Sequence, residues 1–268
     1  MNTDVLLART DGPVLVLAIN NPALRNAIGP EFFRAASTEL ARAAADSAVG
    51  AIVFTGAGGF FCSGGNLNDL AANRERGPEV RRERLELLHQ TILDIRTSPK
   101  PVIMAVEGGA TGAGMALALA GDLLVAARNA FFAASYIKAG LTPDGGLTAL
   151  LAESMPRQAL THLCLTGERQ GAERMHQWGV VTTLVEKGHA VDAAIELGRQ
   201  LAAGPERATG RILGLCRDAR MHTLAGQMER EADAMVASQG DDEAAEGIAA
   251  VLGRRDADFV SLRGTATA

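Results

Sequence analysis

Gly108, Gly109, Gly112 and Gly114 separate an apolar run, Val102-Ile103-Met104-Ala105-Val106, from a small-residue segment, Met115 to Ala120. The run has the pattern of a buried strand, and the small residues that of a tightly packed helix. A strand passing through glycines into a helix leaves unpaired backbone N–H groups at the helix start, where the helix dipole favours negative charge. Such a site suits a phosphate, or an oxyanion that develops during a reaction. Close helix packing through glycine and alanine is the purely structural alternative. A second stretch repeats the arrangement: the apolar run Ala51 to Thr55 leads through Gly56, Gly58 and Gly59 into Phe61-Cys62-Ser63-Gly64-Gly65-Asn66-Leu67.

Side chains near these loops offer few nucleophiles. A serine nucleophile elbow requires glycine two places before the serine, and Phe61 stands there, which counts against Ser63. Cys62, beside the loop, reads as a small buried hydrophobe. His89 and His162 fall in helical segments and read as packing or surface residues, and Glu107, where strand meets loop, orients backbone. Asp144, in Gly140-Leu141-Thr142-Pro143-Asp144-Gly145-Gly146, is either an acid–base group or a turn residue. A dinucleotide-binding loop fits poorly. The third glycine position after Gly112 and Gly114 is Leu117, and no acid lies between Asp122 and Asp144 to hold a ribose.

The ordered set strand–FCSGGNL, strand–EGGATGAG and GLTPDGG, with Asn21-Pro22-Ala23-Leu24-Arg25-Asn26-Ala27 near the start, resembles the crotonase (enoyl-CoA hydratase/isomerase) superfamily over nearly the whole chain. The resemblance implies an α/β spiral of repeated strand–strand–helix (ββα) units with a C-terminal helical region. It implies an acyl-CoA thioester substrate, so coenzyme A enters as part of the substrate, with no prosthetic group and no metal. The amides of Ser63 and Ala113 would stabilise a thioester enolate. Hydratases of the family carry two glutamates, and the matching positions here are Ala116 and Tyr136. Asp144 matches the single acid of isomerising members, including the epoxide isomerases of phenylacetate degradation, and one carboxylate suffices to move a proton between two carbons. Oxepin-CoA ring-opening members, ordinary enoyl-CoA hydratases and a non-catalytic acyl-CoA binder are the alternatives. Arg25 would touch the adenine end of coenzyme A, and Ser63, Gly64, Gly65, Asn66 and Leu67 would line its pantetheine arm. Relatives often have aspartate where Asn66 stands. Tyr136 would line the acyl pocket, and Phe259 would cover a neighbour's nucleotide in a trimer or hexamer.

The elements that must position these residues are legible in order. Val5 to Leu7 and Val14 to Ile19 read as a strand pair around Asp11-Gly12-Pro13. Pro30 to Ala45 is a helix with Phe33, Ala36, Leu40 and Ala44 on one face. Asn68 to Gly77 is a polar segment, and Val80 to Arg96 is a helix closed by Ser98-Pro99-Lys100-Pro101. Leu123 to Ala126 and Ala130 to Ala133 are short strands, Pro156 to Leu165 and Gly171 to Gly179 are helices, and Val180 to Val185 is a last strand. From Ala190 to Arg255 the pattern is helical, with breaks at Gly204-Pro205 and Gln239-Gly240. That shift divides the chain into a spiral core, residues 1–195, and a helical region, residues 196–268, which the resemblance implies is an oligomerisation region.

At 268 residues and 47% hydrophobic content, the chain can bury one large core. Its net charge of -5 and its three lysines, Lys100, Lys138 and Lys187, argue against a nucleic-acid surface. Three scattered cysteines, Cys62, Cys164 and Cys216, fit a reducing cytoplasm better than a disulfide framework. No signal-peptide core and no run of membrane-spanning length is expected, which reads as a cytoplasmic protein.

Overall fold

The computed structural model of the chain describes residues 4–263. Strands β1 (Leu6–Asp11) and β2 (Val14–Ile19) form an antiparallel pair across a turn at Gly12, whose φ of 56° is left-handed. Helix α1 (Pro30–Ala45), strand β3 (Ala51–Gly56) and helices α2 (Leu67–Arg74) and α3 (Pro78–Arg96) follow. Then come β4 (Val102–Val106), β5 (Gly109–Thr111), α4 (Ala113–Ala120), β6 (Leu123–Ala127) and β7 (Phe131–Ala133). Helices α5 (Leu147–Ala152) and α6 (Arg157–Thr166) lead to β8 (Gln170–Gly171), α7 (Ala172–Gln177) and β9 (Thr183–Val185). Four helices complete the chain: α8 (Ala190–Ala202), α9 (Glu206–Asp218), α10 (Leu224–Gln239) and α11 (Asp242–Gly253).

The larger sheet has the order β1-β2-β3-β4-β6-β9, parallel from β2 onward. The smaller sheet has the order β5-β7-β8, and a parallel bridge from Cys62 to Ala110 extends it by one more rung. The turns that begin at β3, β4 and β6 thus each lay one strand in the larger sheet and a short segment along the smaller, then close with a helix. This is the expected spiral. The continuous apolar runs follow from burial of both sheet faces. In β4, Val102, Met104 and Val106 point into the main core, while Ile103 and Ala105 point to the opposite side with Val14, Val16 and Val53.

Several elements depart from the expectations. The polar stretch after Leu67 is helical as α2, started by the Asn66 side chain, which accepts from the Asn68 N–H at 2.9 Å. The glycine run contains β5, and α5 occupies a segment with no assigned element. The expected division at 195 and 196 falls inside α8. Ala190, Ala194 and Ile195 of that helix cover the second face of the larger sheet, so the chain leaves the core only after Ala202. Residues 1–3 and 264–268 of the two expected regions lie outside the described residues. Helices α9 and α10 carry no buried residue, and a buried ion pair ties α9 to the core. The Arg217 guanidinium clasps Asp122 with two bonds of 2.8 Å and donates a third, of 2.7 Å, to the Ser98 carbonyl. No helix among the described residues is long and apolar enough to cross a membrane.

Candidate active site

Phe61 to Ser63 run alongside β5. The Phe61 N–H donates to the Glu107 carbonyl at 2.9 Å, Cys62 to Gly109 at 3.2 Å, and Thr111 returns a bond to Cys62 at 3.0 Å. Gly64 then turns at φ 92°, and a Cβ on it would stand 2.7 Å from the Thr111 carbonyl oxygen and 3.2 Å from the Ala113 nitrogen. The FCSGGNL loop is therefore pressed against the first residue of α4. Gly112 enters that helix at φ 54° and ψ -130°, a backbone that glycine adopts without steric cost.

The two amides expected to face one oxygen behave differently. The Ser63 N–H donates to the Arg25 carbonyl at 2.9 Å, so it is already occupied, and the Ser63 hydroxyl donates to the Leu24 carbonyl at 3.0 Å. The expectation that the Ser63 amide is free is corrected here: the loop pairs with the Arg25 segment at that point. Two residues on, the Gly65 N–H has no acceptor among the described residues. Nor has the N–H of Ala113, the first residue of α4, which no intrahelical bond can satisfy.

Asp144 lies in the loop before α5. Its Oδ1 accepts a 2.7 Å hydrogen bond from the Tyr136 hydroxyl, and its side chain does not cap α5. Gly145 and Gly146 follow at φ 57° and 75°. A Cβ on Gly145 would lie 3.1 Å from the Ala116 Cβ and 3.2 Å from Leu88 Cδ2. Ala116 is three residues beyond Ala113 on the same face of α4, about 4.5 Å along the axis. The carboxylate loop and the two free amides are thus brought together around one turn of helix. Burial pushes Asp144 above the usual carboxylate range, against the Tyr136 hydrogen bond and the charge of His89, which pull it down. The same burial, with Asp144 beside it, drives Tyr136 far up, so the phenol stays a proton donor to the carboxylate.

A family model described as enoyl-CoA hydratase/isomerase matches residues 9–262. The chain belongs to the enoyl-CoA hydratase/isomerase family. It is 32% identical over 257 residues to the 1,2-epoxyphenylacetyl-CoA isomerase of Escherichia coli (strain K12), covering 96% of this chain and 98% of that protein. It is 30% identical over 246 residues to the 2,3-dehydroadipyl-CoA hydratase of the same organism, covering 92% and 94%. Among solved structures, an enoyl-CoA hydratase from Polaromonas sp. JS666 superposes with a TM-score of 0.92 at 43% identity, over 94% of this chain and 98% of that one.

As an acyl-CoA enzyme of the enoyl-CoA hydratase/isomerase family, the chain presents its other expected residues as follows. Arg25 sits at φ 50° and Asn26 at φ 58° in a left-handed pair that few non-glycine residues adopt. The buried Asn26 side chain holds that turn. It accepts from the Asn21 N–H at 2.9 Å and donates to the carbonyls of Ala57 at 2.8 Å and Phe60 at 2.6 Å. Asn66 is occupied in capping α2, and Leu67 is exposed. Phe259 packs over Gly247 of α11. Glu107 has a structural role, its Oε1 accepting from the N–H groups of Gly188 at 2.9 Å and Ala190 at 3.0 Å at the start of α8. Burial pushes the Cys62 thiol up to about 12, which keeps it protonated and unreactive.

Two features escaped the sequence reading. The Tyr136–Asp144 bond joins residues whose separation matches no local motif. His89, read as packing or surface, is exposed on α3 beside Leu88, and its charge acts on Asp144. Neighbouring Leu88 at helical spacing was the only available signal, and it speaks equally for a core face.

Proposed function

We propose that this protein is an isomerase of acyl-CoA thioesters, in which Gly65 and Ala113 hold the thioester oxygen and Asp144 moves the proton. The observation that carries the reading is the half-buried Asp144 carboxylate held by a phenol, where Ala116 and Tyr136 occupy the positions matched to the hydratase glutamates. The Asp144 carboxylate takes a proton from a carbon adjacent to the conjugated system. The electron pair moves onto the thioester oxygen, which two preorganised N–H groups stabilise. The protonated Asp144 exchanges its proton with solvent and then delivers a proton to a different carbon, and the thioester carbonyl re-forms. Tyr136 keeps the carboxylate oriented and ready to act as base. The resemblance adds coenzyme A along Arg25 and Ser63 to Leu67, with the amide role shifted from Ser63 to Gly65. It also adds trimers or hexamers, which the exposed Leu224, Val251 and Leu252 on α10 and α11 support.

A hydratase reading has one observation in its favour. His89 is a second titratable group whose charge reaches Asp144 from α3, as water activation and proton delivery by separate groups would require. Incubation with a panel of enoyl-CoA and ring-containing acyl-CoA thioesters in deuterated water separates the two. Isomerisation exchanges hydrogen for deuterium with no other mass change, and Asp144→Asn lowers that exchange by about 10²–10⁴. Addition of a full water at rates typical of efficient enzymes, or normal exchange by a folded Asp144→Asn, overturns the isomerase reading. Thioester binding with no mass change identifies a non-catalytic binder.

A further inference from the structure

Helix α2 follows directly on the loop that carries Gly65, and little apolar packing holds it there. Of its eight residues only Asn73 is buried, and its two leucines, Leu67 and Leu70, remain exposed. A helix this short is marginal alone, and one without buried apolar side chains gains little from packing. Leu70 nevertheless reaches back to the loop. A Cβ on Gly65 would lie 3.5 Å from Leu70 Cδ1, so this side chain rests on the residue whose N–H is free. Whatever docks α2 therefore controls the cover of Gly65.

Arg84 of α3 supplies the dock. Its guanidinium donates to Asn73 Oδ1 at 3.1 Å and stands 4.0 Å from the Asp69 carboxylate. Asp69 and Asn73 are one turn apart on α2, so a single side chain grips one face of the helix. Among the described residues these are the only side-chain polar ties from α2 to another element, since the Asn66 bond that starts the helix is local. The two contacts differ in weight. The Asp69 pair is long and its carboxylate half exposed, a geometry that contributes little. The Asn73 bond serves a buried amide, whose oxygen would be left without this donor if the guanidinium were removed. That oxygen then regains a partner by moving to water, and α2 moves with it. Arg84 and Leu88 lie four residues apart on one face of α3, and Leu88 Cδ2 stands 3.2 Å from where a Cβ on Gly145 would be, next to Asp144. One helix face thus meets both the segment that covers the amide and the loop that carries the acid.

We infer that Arg84 is a positioning residue for the reaction proposed above, clasping Asn73 so that α2 keeps Leu70 over Gly65 and water away from its N–H. The inference rests on Gly65 as a donor to the thioester oxygen, and it does not depend on which group carries the proton. A donor that is solvated must shed water before it can stabilise developing charge, and a covered donor is already preorganised. Isomerisation and hydration both build charge on that oxygen, so the clasp serves either.

Arg84→Met keeps much of the aliphatic stem and removes both contacts. Hydrogen–deuterium exchange of the protein, read by mass spectrometry, reports the dock, and turnover of whichever acyl-CoA thioester the protein processes reports the site. In Arg84→Met, peptides over α2 lose protection while the melting temperature barely moves, because α2 buries no apolar side chain. Its kcat falls about tenfold, near the low end for loss of a hydrogen bond to a charged group, and KM is nearly unchanged. Arg84→Lys retains a cationic donor and recovers most of both. Leu70→Ala lowers kcat but leaves α2 protected. Arg82→Met, which breaks only the exposed Arg82–Glu86 pair along α3, changes neither. Protection of α2 in Arg84→Met equal to wild type, or wild-type kcat once that protection is lost, overturns the inference, as does wild-type kcat in Leu70→Ala. A wild-type protein that turns over no thioester is the distinct failure of the catalytic reading, and the inference falls with it.

Discussion

Gly64→Ala places one methyl group between the two loops that would share the thioester oxygen. The new Cβ starts 2.7 Å from the Thr111 carbonyl oxygen and 3.2 Å from the Ala113 nitrogen. Relieving the first contact to an ordinary 3.4 Å needs a displacement of about 0.7 Å, from the difference of the two distances. A side chain at φ 92° also costs roughly 1–3 kcal/mol of backbone strain, and overpacking adds about 1–3 kcal/mol. The sum of about 2–6 kcal/mol lies within the 5–15 kcal/mol stability typical of a folded domain, so the variant should still fold, with a lower melting temperature. The functional effect is separate. A donor moved about 0.7 Å from an optimal 2.9 Å stands near 3.6 Å, which is no longer a hydrogen bond. One lost donor lowers turnover by about 10²–10³ with little change in thioester affinity. Thermal melts, α-proton exchange in deuterated water and thioester titration measure the three quantities. Turnover within a few-fold of wild type, in a variant whose melting temperature has fallen, would refute the pairing of Gly65 and Ala113. An unchanged melting temperature would refute the packing of the two loops.

Asp144→Asn should raise thermal stability near pH 7 while lowering turnover by about 10²–10⁴. Because burial holds the folded carboxyl above its unfolded range, stability falls as pH rises through that interval, so the variant's advantage shrinks on acidification; differential scanning fluorimetry from pH 5 to 8 checks the sign. Tyr136→Phe removes the hydrogen bond that lowers Asp144, so the acid limb of the pH–rate profile should move to higher pH, with a stability loss of about 1–3 kcal/mol in urea. Ser63→Ala should stay within a few-fold of wild-type turnover, whereas Ala113→Pro, at a first helical position that tolerates proline, should lose about 10²-fold or more by deleting a donor, with circular dichroism checking the fold. Arg217→Met strands the buried Asp122 and should cost about 3–5 kcal/mol by chemical denaturation, part of which Asp122→Asn restores.

The sequence alone determined the elements whose signal is local. The five apolar residues of β4, the amphipathic repeat of α1 and the glycines after each strand appear where they were expected, because periodicity and backbone permissiveness act over a few residues. The ordered motifs were enough to indicate the family, and Asp144 was legible as the remaining acid in a glycine-rich turn. What tertiary structure decided was which groups are already occupied. Whether the Ser63 amide is free depends on its register against Arg25, a segment on another turn of the spiral, and no local pattern encodes that pairing. The same holds for the phenol of Tyr136, which a propensity reads as a core aromatic and which the loop beyond Gly140 turns back onto Asp144. Helix α8 shows the same limit at larger scale. Its apolar stripe is visible in the sequence, but only the twist of the parallel sheet leaves an uncovered face with Val14, Val53 and Ile103 for that stripe to bury. Local chemistry selects strands, helices and turns, whereas the partners of donors, acids and apolar faces are set by how distant segments come into register.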